Sequence, residues 1–261
     1  MKTPITFYGG KQKLLKHILP LIPDHSIYTE AFAGGLAVFF AKERVKTEII
    51  NDLDARIINF YDVLQSNFEE LKKKVLATPY SRAVYKVSLC MYEMPHLFSS
   101  LNRAWAFFVL SNQSFSASIG SWGCYKNGTT AQGWENKKLR LNEHLKDRLK
   151  GVQIECSDAL KVITSRDSKE TFHYVDAPYF NSDCRSYKGK YTEEDFKELL
   201  STLSSIKGKF LLSSYPSEVL EKYISKYGWY TKTIEQNISV ANIKGTKQKR
   251  KTEVLTANYP I

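Results

Sequence analysis

Short apolar runs recur along this chain between stretches whose apolar residues fall three and four positions apart. The first run, Ile27-Tyr28-Thr29-Glu30-Ala31-Phe32, has the length and the β-branched and aromatic character of a buried strand. Ala33-Gly34-Gly35 interrupts it, and residues 36–42 read as a helix. Thr47-Glu48-Ile49-Ile50-Asn51-Asp52 is a second strand, and ahead of both, Gly9 and Gly10 form a tight turn that feeds helical spacing over residues 12–19. From 54 to about 112 the period is helical, with Ile57, Ile58, Tyr61, Leu64, Trp105, Phe108 and Val109 at core-facing positions. Alternation returns in Val152-Gln153-Ile154-Glu155-Cys156, and Ser157-Asp158-Ala159-Leu160 opens a helix. Phe172-His173-Tyr174-Val175 is a buried strand, and Thr192 with Glu194 and Asp195 begins a helix that runs through Leu203. Residues 209–215 form another strand, Pro216 starts the next helix, and residues 229–240 and 252–259 are strand-like. Strands alternating with helices predict an α/β fold. Its sheet is mainly parallel with helices on both faces, and the last two strands add an antiparallel C-terminal hairpin.

One stretch departs from this alternation. Residues 111–135 are polar and glycine-rich (Gly120, Gly123, Gly128, Gly133), with Trp122, Tyr125 and Trp134 interleaved and no period. That pattern describes a long surface loop or hairpin, and loops of this length in a compact domain are usually functional or disordered. With the helices before it, the whole span 54–150 reads as a mostly helical insert, leaving 1–53 and 151–261 as the main domain.

Charge narrows the range of partners. The 38 Lys and Arg outnumber the 27 Asp and Glu, and a net charge of +11 favours a polyanion, nucleic acid being the usual one. Lys244-Gly245-Thr246-Lys247-Gln248-Lys249-Arg250-Lys251 would lie at the tip of the final hairpin, and five cations in eight residues there suit phosphate contacts. Cys90, Cys124, Cys156 and Cys184 have no paired spacing that would chelate zinc, so they read as free, structural thiols. No apolar run is long enough for a bilayer and Met1-Lys2-Thr3-Pro4 opens no signal region, which predicts a cytoplasmic protein with no membrane partner.

The chemistry gathers at strand ends. Phe172-His173-Tyr174-Val175-Asp176-Ala177-Pro178-Tyr179-Phe180 carries a buried strand into an acid, a proline and two aromatic rings. Open α/β folds bind ligands at that edge, and a carboxylate, a free backbone carbonyl and a flat ring together suit a planar heterocycle bearing an amino group. The strand, glycine turn and helix around Gly34 open a nucleotide-binding unit, and Asp52 ends the next strand roughly 20 residues on, where such folds hold ribose hydroxyls. The turn is not GxGxxG, which disfavours a pyrophosphate-binding dinucleotide site. Lys11, beside the first glycine turn, could meet a carboxylate. Asp158 is either a neighbour of a helix cap or a ligand to an adenine edge.

In this order the motifs resemble the D12 class of DNA adenine-N6 methyltransferases, over nearly the whole chain. Phe7-Tyr8-Gly9-Gly10-Lys11 is similar to the family's amino-terminal cofactor motif, with Phe7 where Trp is frequent. Glu30-Ala31-Phe32-Ala33-Gly34-Gly35 is similar to its P-F-x-G-G turn, with Ala31 for the proline. Asp176-Ala177-Pro178-Tyr179 matches its catalytic D-P-P-Y tetrapeptide except at Ala177. The resemblance implies a Rossmann-like fold that takes S-adenosylmethionine and releases S-adenosylhomocysteine. It implies cofactor contacts at Phe7, Tyr8, Gly10, Lys11, Glu30, Phe32, Gly34, Asp52, Asp158 and Asp176, and catalysis by Asp176, Ala177, Pro178 and Tyr179. The insert becomes a target-recognition subdomain. DNA contacts are expected at Asn112, Ser114 and Trp122, and at Lys247, Lys249 and Arg250. The substrate it implies is adenine N6 in duplex DNA, reached by base flipping, and the chain is expected to be a monomer, alone or beside a cognate restriction endonuclease. No metal is called for. Cytosine-C5 chemistry would need a nucleophilic cysteine after a proline, which none of the four cysteines is. Cytosine N4, an RNA amino group, or a catalytically impaired DNA-binding relative remain the alternatives, the last because of Ala177.

Overall fold

Strands and helices alternate through most of the residues that the computed structural model describes, which are 1–124, 129–180, 191–237 and 250–261. The chain begins with α1 (Leu15–Ile18), β1 (Ile27–Glu30), α2 (Ala37–Ala41) and β2 (Thr47–Asn51). A helical stretch follows: α3 (Ala55–Ser66), α4 (Phe68–Leu76), α5 (Arg82–Glu93), α6 (Ser100–Gln113), α7 (Thr129–Lys138) and α8 (Glu143–Leu149). Alternation resumes with β3 (Gln153–Glu155), α9 (Ala159–Ser165), β4 (Thr171–Val175), α10 (Glu193–Ser205) and β5 (Lys209–Ser214). The chain ends with α11 (Glu218–Tyr227), β6 (Tyr230–Asn237) and β7 (Arg250–Ala257). The seven strands run in the order β3-β2-β1-β4-β5-β7-β6. The β2–β3, β1–β4 and β4–β5 pairs are parallel, and β7 is antiparallel to both β5 and β6. The mainly parallel sheet with an antiparallel C-terminal hairpin is as the periodicity predicts. Contacts divide the chain into two compact units, one of Met1–Pro20 with Ala33–Asp158 and one of Leu21–Phe32 with Ala159–Ile261.

The second unit is built on β4, all five of whose residues are buried, as expected for a parallel strand flanked on both edges. Val175, Phe210 and Leu212 meet Ile163 of α9, Leu199 and Leu203 of α10, and Trp229. Burying such side chains contributes about 1.5–3 kcal/mol each. Helix α10 opens with a reciprocal capping box between Thr192 and Asp195, the signal visible in the sequence. Helix α11 is capped by Ser217, one residue after the Pro216 expected to start it. Gly208 admits no side chain: a Cβ there would lie 2.6 Å from the Thr171 carbonyl oxygen. Its N–H and that of Lys207 both bond the Asp167 carboxylate at 2.8 Å, fixing the start of β5.

The first unit packs the helices of the 54–150 span with the β2–β3 pair. Helix α6 is buried on every face from Ala104 to Gln113, so it is the central helix of the group. Phe60, Phe107, Phe108 and Trp134 make ring contacts around it. Trp134 corrects an expectation. It lies in helix α7, 1% exposed, with Nε1 donating to the Thr78 carbonyl at 2.8 Å, so the irregular loop is shorter than 111–135. A helix reading Thr-Thr-Ala-Gln-Gly-Trp-Glu-Asn-Lys-Lys has one large apolar residue and hence no visible period. Glu48 of β2 is buried between Lys42 (2.7 Å) and Arg148 of α8 (2.8 Å). Burial alone would raise its carboxyl, but the Arg148 and Lys42 bonds hold it below the usual range. Three of the cysteines, Cys90, Cys124 and Cys156, are free but exposed, and so are not core thiols; Cys184 lies outside the described residues. Among the described residues no helix is long and apolar enough to cross a membrane.

Candidate active site

In the second unit the end of β4 hands the chain from Val175 to Asp176, which is half-buried, and then to Ala177, which is buried. The Tyr179 hydroxyl donates its proton to Glu253 Oε1 of β7 and lies 3.3 Å from Asp176 Oδ1. Glu253 is 1% exposed, accepts from Ser213 Oγ at 2.7 Å, and pairs with Lys251 Nζ at 3.4 Å. The Tyr179 and Tyr215 rings lie 4.2 Å apart, and the Lys251 ammonium sits 4.5 Å from the Tyr215 centroid and 5.3 Å from that of Tyr179. A small recess opens between Ala177–Phe180 and Ser213–Tyr215. Burial, and then the charges of Asp176 and Glu253, push the Tyr179 phenol well above its ordinary pKa, so it remains a donor. Tyr174 is pushed the same way by burial and by Asp176, Glu30 and Glu253. Lys251 rises despite burial because Glu253 and Tyr215 face it. Glu30 is buried on β1 and accepts from Tyr28 at 2.7 Å, while Phe32 packs partly into the core.

In the first unit the glycine turn is wedged against Phe7. A Cβ at Gly34, where φ is +44°, would stand 2.9 Å from the Phe7 ring, so only glycine fits. The Gly34 N–H donates to Asp52 Oδ2 and the Asp54 N–H to Oδ1, both at 2.9 Å, and Tyr61 bonds the Gly34 carbonyl at 2.9 Å. Phe7, Gly34 and Asp52 are thereby brought together. Burial raises the Asp52 pKa, with the Asp54 and Gly34 amides opposing it. Leu53, the next residue, is 75% exposed, an apolar surface beside a carboxylate that the sequence reading overlooked. Gly10 closes a turn onto the Phe7 carbonyl at 3.1 Å. Lys11 is buried and donates to the Gly9 carbonyl at 2.9 Å, whereas Tyr8 and Asp158 are exposed.

Of the expected DNA contacts, two are spent inside. Asn112 is buried, with its amide donating to the Pro4 and Phe108 carbonyls (3.2 and 3.1 Å) and its oxygen accepting from Thr6 at 3.0 Å. The buried Ser114 hydroxyl bonds Tyr85 at 2.7 Å. Trp122 is accessible and stacks on Tyr80 at 5.0 Å, with Arg82 at 4.6 Å. Between Ser114 and Trp122, which form an isolated bridge, Phe115 stands 51% exposed and Ser116 and Ala117 both have positive φ. A lone phenylalanine in a polar stretch was the only available signal for it. Lys247 and Lys249, like Tyr125 and Gly128, lie outside the described residues; Arg250 opens β7. Lys251, counted with the basic tip, instead turns toward Glu253.

Comparison with known proteins adds the following. The family model described as "D12 class N6 adenine-specific DNA methyltransferase" matches residues 7–240. The chain is similar to "Type II methyltransferase M1.LlaDCHI" of Lactococcus lactis subsp. cremoris, 26% identical over 96% of this chain and 93% of that protein. It is also similar to "Type II methyltransferase M.FokI" of Planomicrobium okeanokoites, at 26% identity over 99% of this chain but only 43% of that longer protein. A solved precorrin 8w decarboxylase from Methanobacterium thermoautotrophicum aligns over 94% of this chain and 87% of its own, with a TM-score of 0.38 and 10% identity, a likeness too slight to bear on function.

Proposed function

This chain belongs to the D12 class N6 adenine-specific DNA methyltransferase family, and from that premise we propose that it transfers a methyl group from S-adenosylmethionine to the N6 amino group of adenine in duplex DNA. The observation that carries the reading is the turn after β4, where a half-buried carboxylate, a backbone carbonyl and an anchored aromatic ring stand together. The exocyclic amine of adenine is a poor nucleophile because its lone pair is delocalised into the ring. Asp176 and the Ala177 carbonyl each accept one of its N–H bonds, so the nitrogen pyramidalises and its lone pair turns outward. As the new N–C bond forms, the nitrogen sheds one proton toward Asp176. Tyr179 stacks on the base once it has left the duplex.

The donor's residues fit on their own terms. Gly34 lets the turn pack against Phe7, Asp52 presents a carboxylate oriented by two amides, and Leu53 offers an apolar face beside it. These suit a ribose diol and an adenine ring, with Phe7, Tyr8, Gly10, Lys11, Glu30, Phe32 and Asp158 as the remaining donor-site candidates. When bound, S-adenosylmethionine supplies a methyl group on a sulfonium centre, leaving S-adenosylhomocysteine. Target recognition falls to the 54–150 span. Exposed Phe115 and Arg82 and half-buried Trp122 are its contacts, while Asn112 and Ser114 shape the loop. Phosphate contacts fall to Lys247, Lys249 and Arg250. The chain acts as a cytoplasmic monomer, the modifying half of a type II pair, in keeping with the names of its two relatives.

The test is mass spectrometry of nucleosides from unmethylated duplex DNA incubated with protein and S-adenosylmethionine. N6-methyladenine is expected from wild type, and at least a hundredfold less from Asp176→Ala. N4-methylcytosine would keep the fold and move the target. No product despite donor and DNA binding would leave a binding protein.

A further inference from the structure

The family match ends at residue 240, yet a buried carboxylate beyond it reaches the candidate site. Glu253 lies on β7, paired in register with Ile234, and is 1% exposed. A carboxylate taken out of water is costly unless its oxygens are satisfied and its charge is matched. Here Ser213 Oγ at 2.7 Å and the Tyr179 hydroxyl satisfy Oε1, and Lys251 at 3.4 Å matches the charge. Each of these partners borders the recess at the end of β4 or the ring of Tyr179 itself. An apolar residue would fill a strand position at no such cost, so the carboxylate is explained by what it orients.

It orients Tyr179, two residues beyond the position in the Asp176–Tyr179 turn that most needs holding. Where proline would fix φ at position 177, alanine leaves φ without that lock, restricted only by Pro178 after it, and the amine-accepting carbonyl belongs to that residue. Tyr179 gives its hydroxyl proton to Glu253, which holds the hydroxyl 3.3 Å from Asp176 Oδ1. Anchoring the ring two residues downstream restrains the same turn from its other end, and Lys251 over both tyrosine rings completes the clamp.

We propose that Glu253 is a positioning residue for methyl transfer, acting through the Tyr179 hydroxyl to fix the ring and the carbonyl that receive the target base. The inference rests on the reading of Asp176–Tyr179 as the amine-binding turn.

The test measures incorporation of labelled methyl groups into unmethylated duplex DNA by wild type, Glu253→Gln, Tyr179→Phe and the double variant, with donor affinity from calorimetry. Glu253→Gln is expected to lower kcat about tenfold while the KM for DNA and the Kd for S-adenosylmethionine change less than threefold. The double variant is expected to be no worse than the poorer single variant, within a factor of two, because Glu253→Gln weakens, by removing the charge, the same hydrogen bond that Tyr179→Phe removes. Losses that multiply, a loss confined to KM, or a wild-type kcat in Glu253→Gln would each overturn the proposal. Should thermal melting show Glu253→Gln unfolded, Ser213→Ala with Tyr179→Phe replaces it: non-additive losses support the clamp and multiplying ones overturn it. Asp176→Ala separates the two layers. If it stays active, the amine-binding reading falls and takes this one with it; if it is dead while Glu253→Gln is normal, only the role of Glu253 falls.

Discussion

Ala177 is the residue whose identity departs most informatively from the tetrapeptide it otherwise matches. The group it contributes is a carbonyl, which alanine and proline share, so the substitution changes restraint and leaves the donor–acceptor chemistry alone. Removing a fixed φ is worth of order 1 kcal/mol. Restoring proline, Ala177→Pro, should therefore keep kcat or raise it severalfold in the labelled-methyl assay; a large fall would show that the turn needs a conformation proline cannot take. At this scale the sequence discloses residue types well and their commitments poorly. Asp176 stood out because an acid followed an unbroken buried strand. Asn112 and Ser114 looked like a recognition surface because polar side chains usually are one, but their hydrogen bonds are consumed by Pro4, Phe108, Thr6 and Tyr85. Glu253 was invisible for the converse reason, since nothing along the chain marks which strand acid faces inward.

Strands and amphipathic helices were legible because burial on one face or two imposes a period. Helix α7 was not, since its single buried tryptophan has no apolar neighbours to set one. Strand β4 carries a further property that no period reveals, a fully buried histidine. His173 Nδ1 lies 2.7 Å from Thr29 Oγ1, and Nε2 lies 3.7 Å from Asp167. Burial lowers the pKa to about 4, with Asp167 only partly opposing it. Between that value and about 6.5 the unfolded chain binds a proton that the folded strand does not. Stability from this group is therefore fully present above about pH 6.5 and is lost as pH falls toward 4, by up to about 3 kcal/mol. Urea unfolding between pH 7 and 4.5 should show wild type losing more stability than His173→Gln. Parallel slopes would mean that His173 takes up its proton in the folded protein.

For the whole molecule, the alternation of elements and the net charge of +11 were open to sequence reading, while the two compact units follow from packing. Contacts between distant segments set that division, and they leave no local trace. The charge has a measurable consequence. If the basic run at 244–251 contacts phosphates, changing Lys247, Lys249 and Arg250 to glutamine should weaken binding to every DNA sequence alike. It should also flatten the slope of log affinity against log salt by roughly 3. An unchanged slope in a salt titration would place the phosphate contacts elsewhere on the basic surface.

Both compact units are assembled from separated pieces of chain, and this has a bearing on how the protein is made. Residues Leu21–Phe32 leave the ribosome before most of the first unit, yet they belong to the second. Thr29 of β1 precedes His173, its register partner in β4, by 144 residues. At about 5–20 residues per second, β1 waits roughly 7 to 30 seconds for that neighbour while the whole helical span is being synthesised. During that interval an apolar strand destined for the middle of a sheet has its β4 side bare, and a pause in translation anywhere between 31 and 170 lengthens the time in which a chaperone, or another nascent chain, can reach it first.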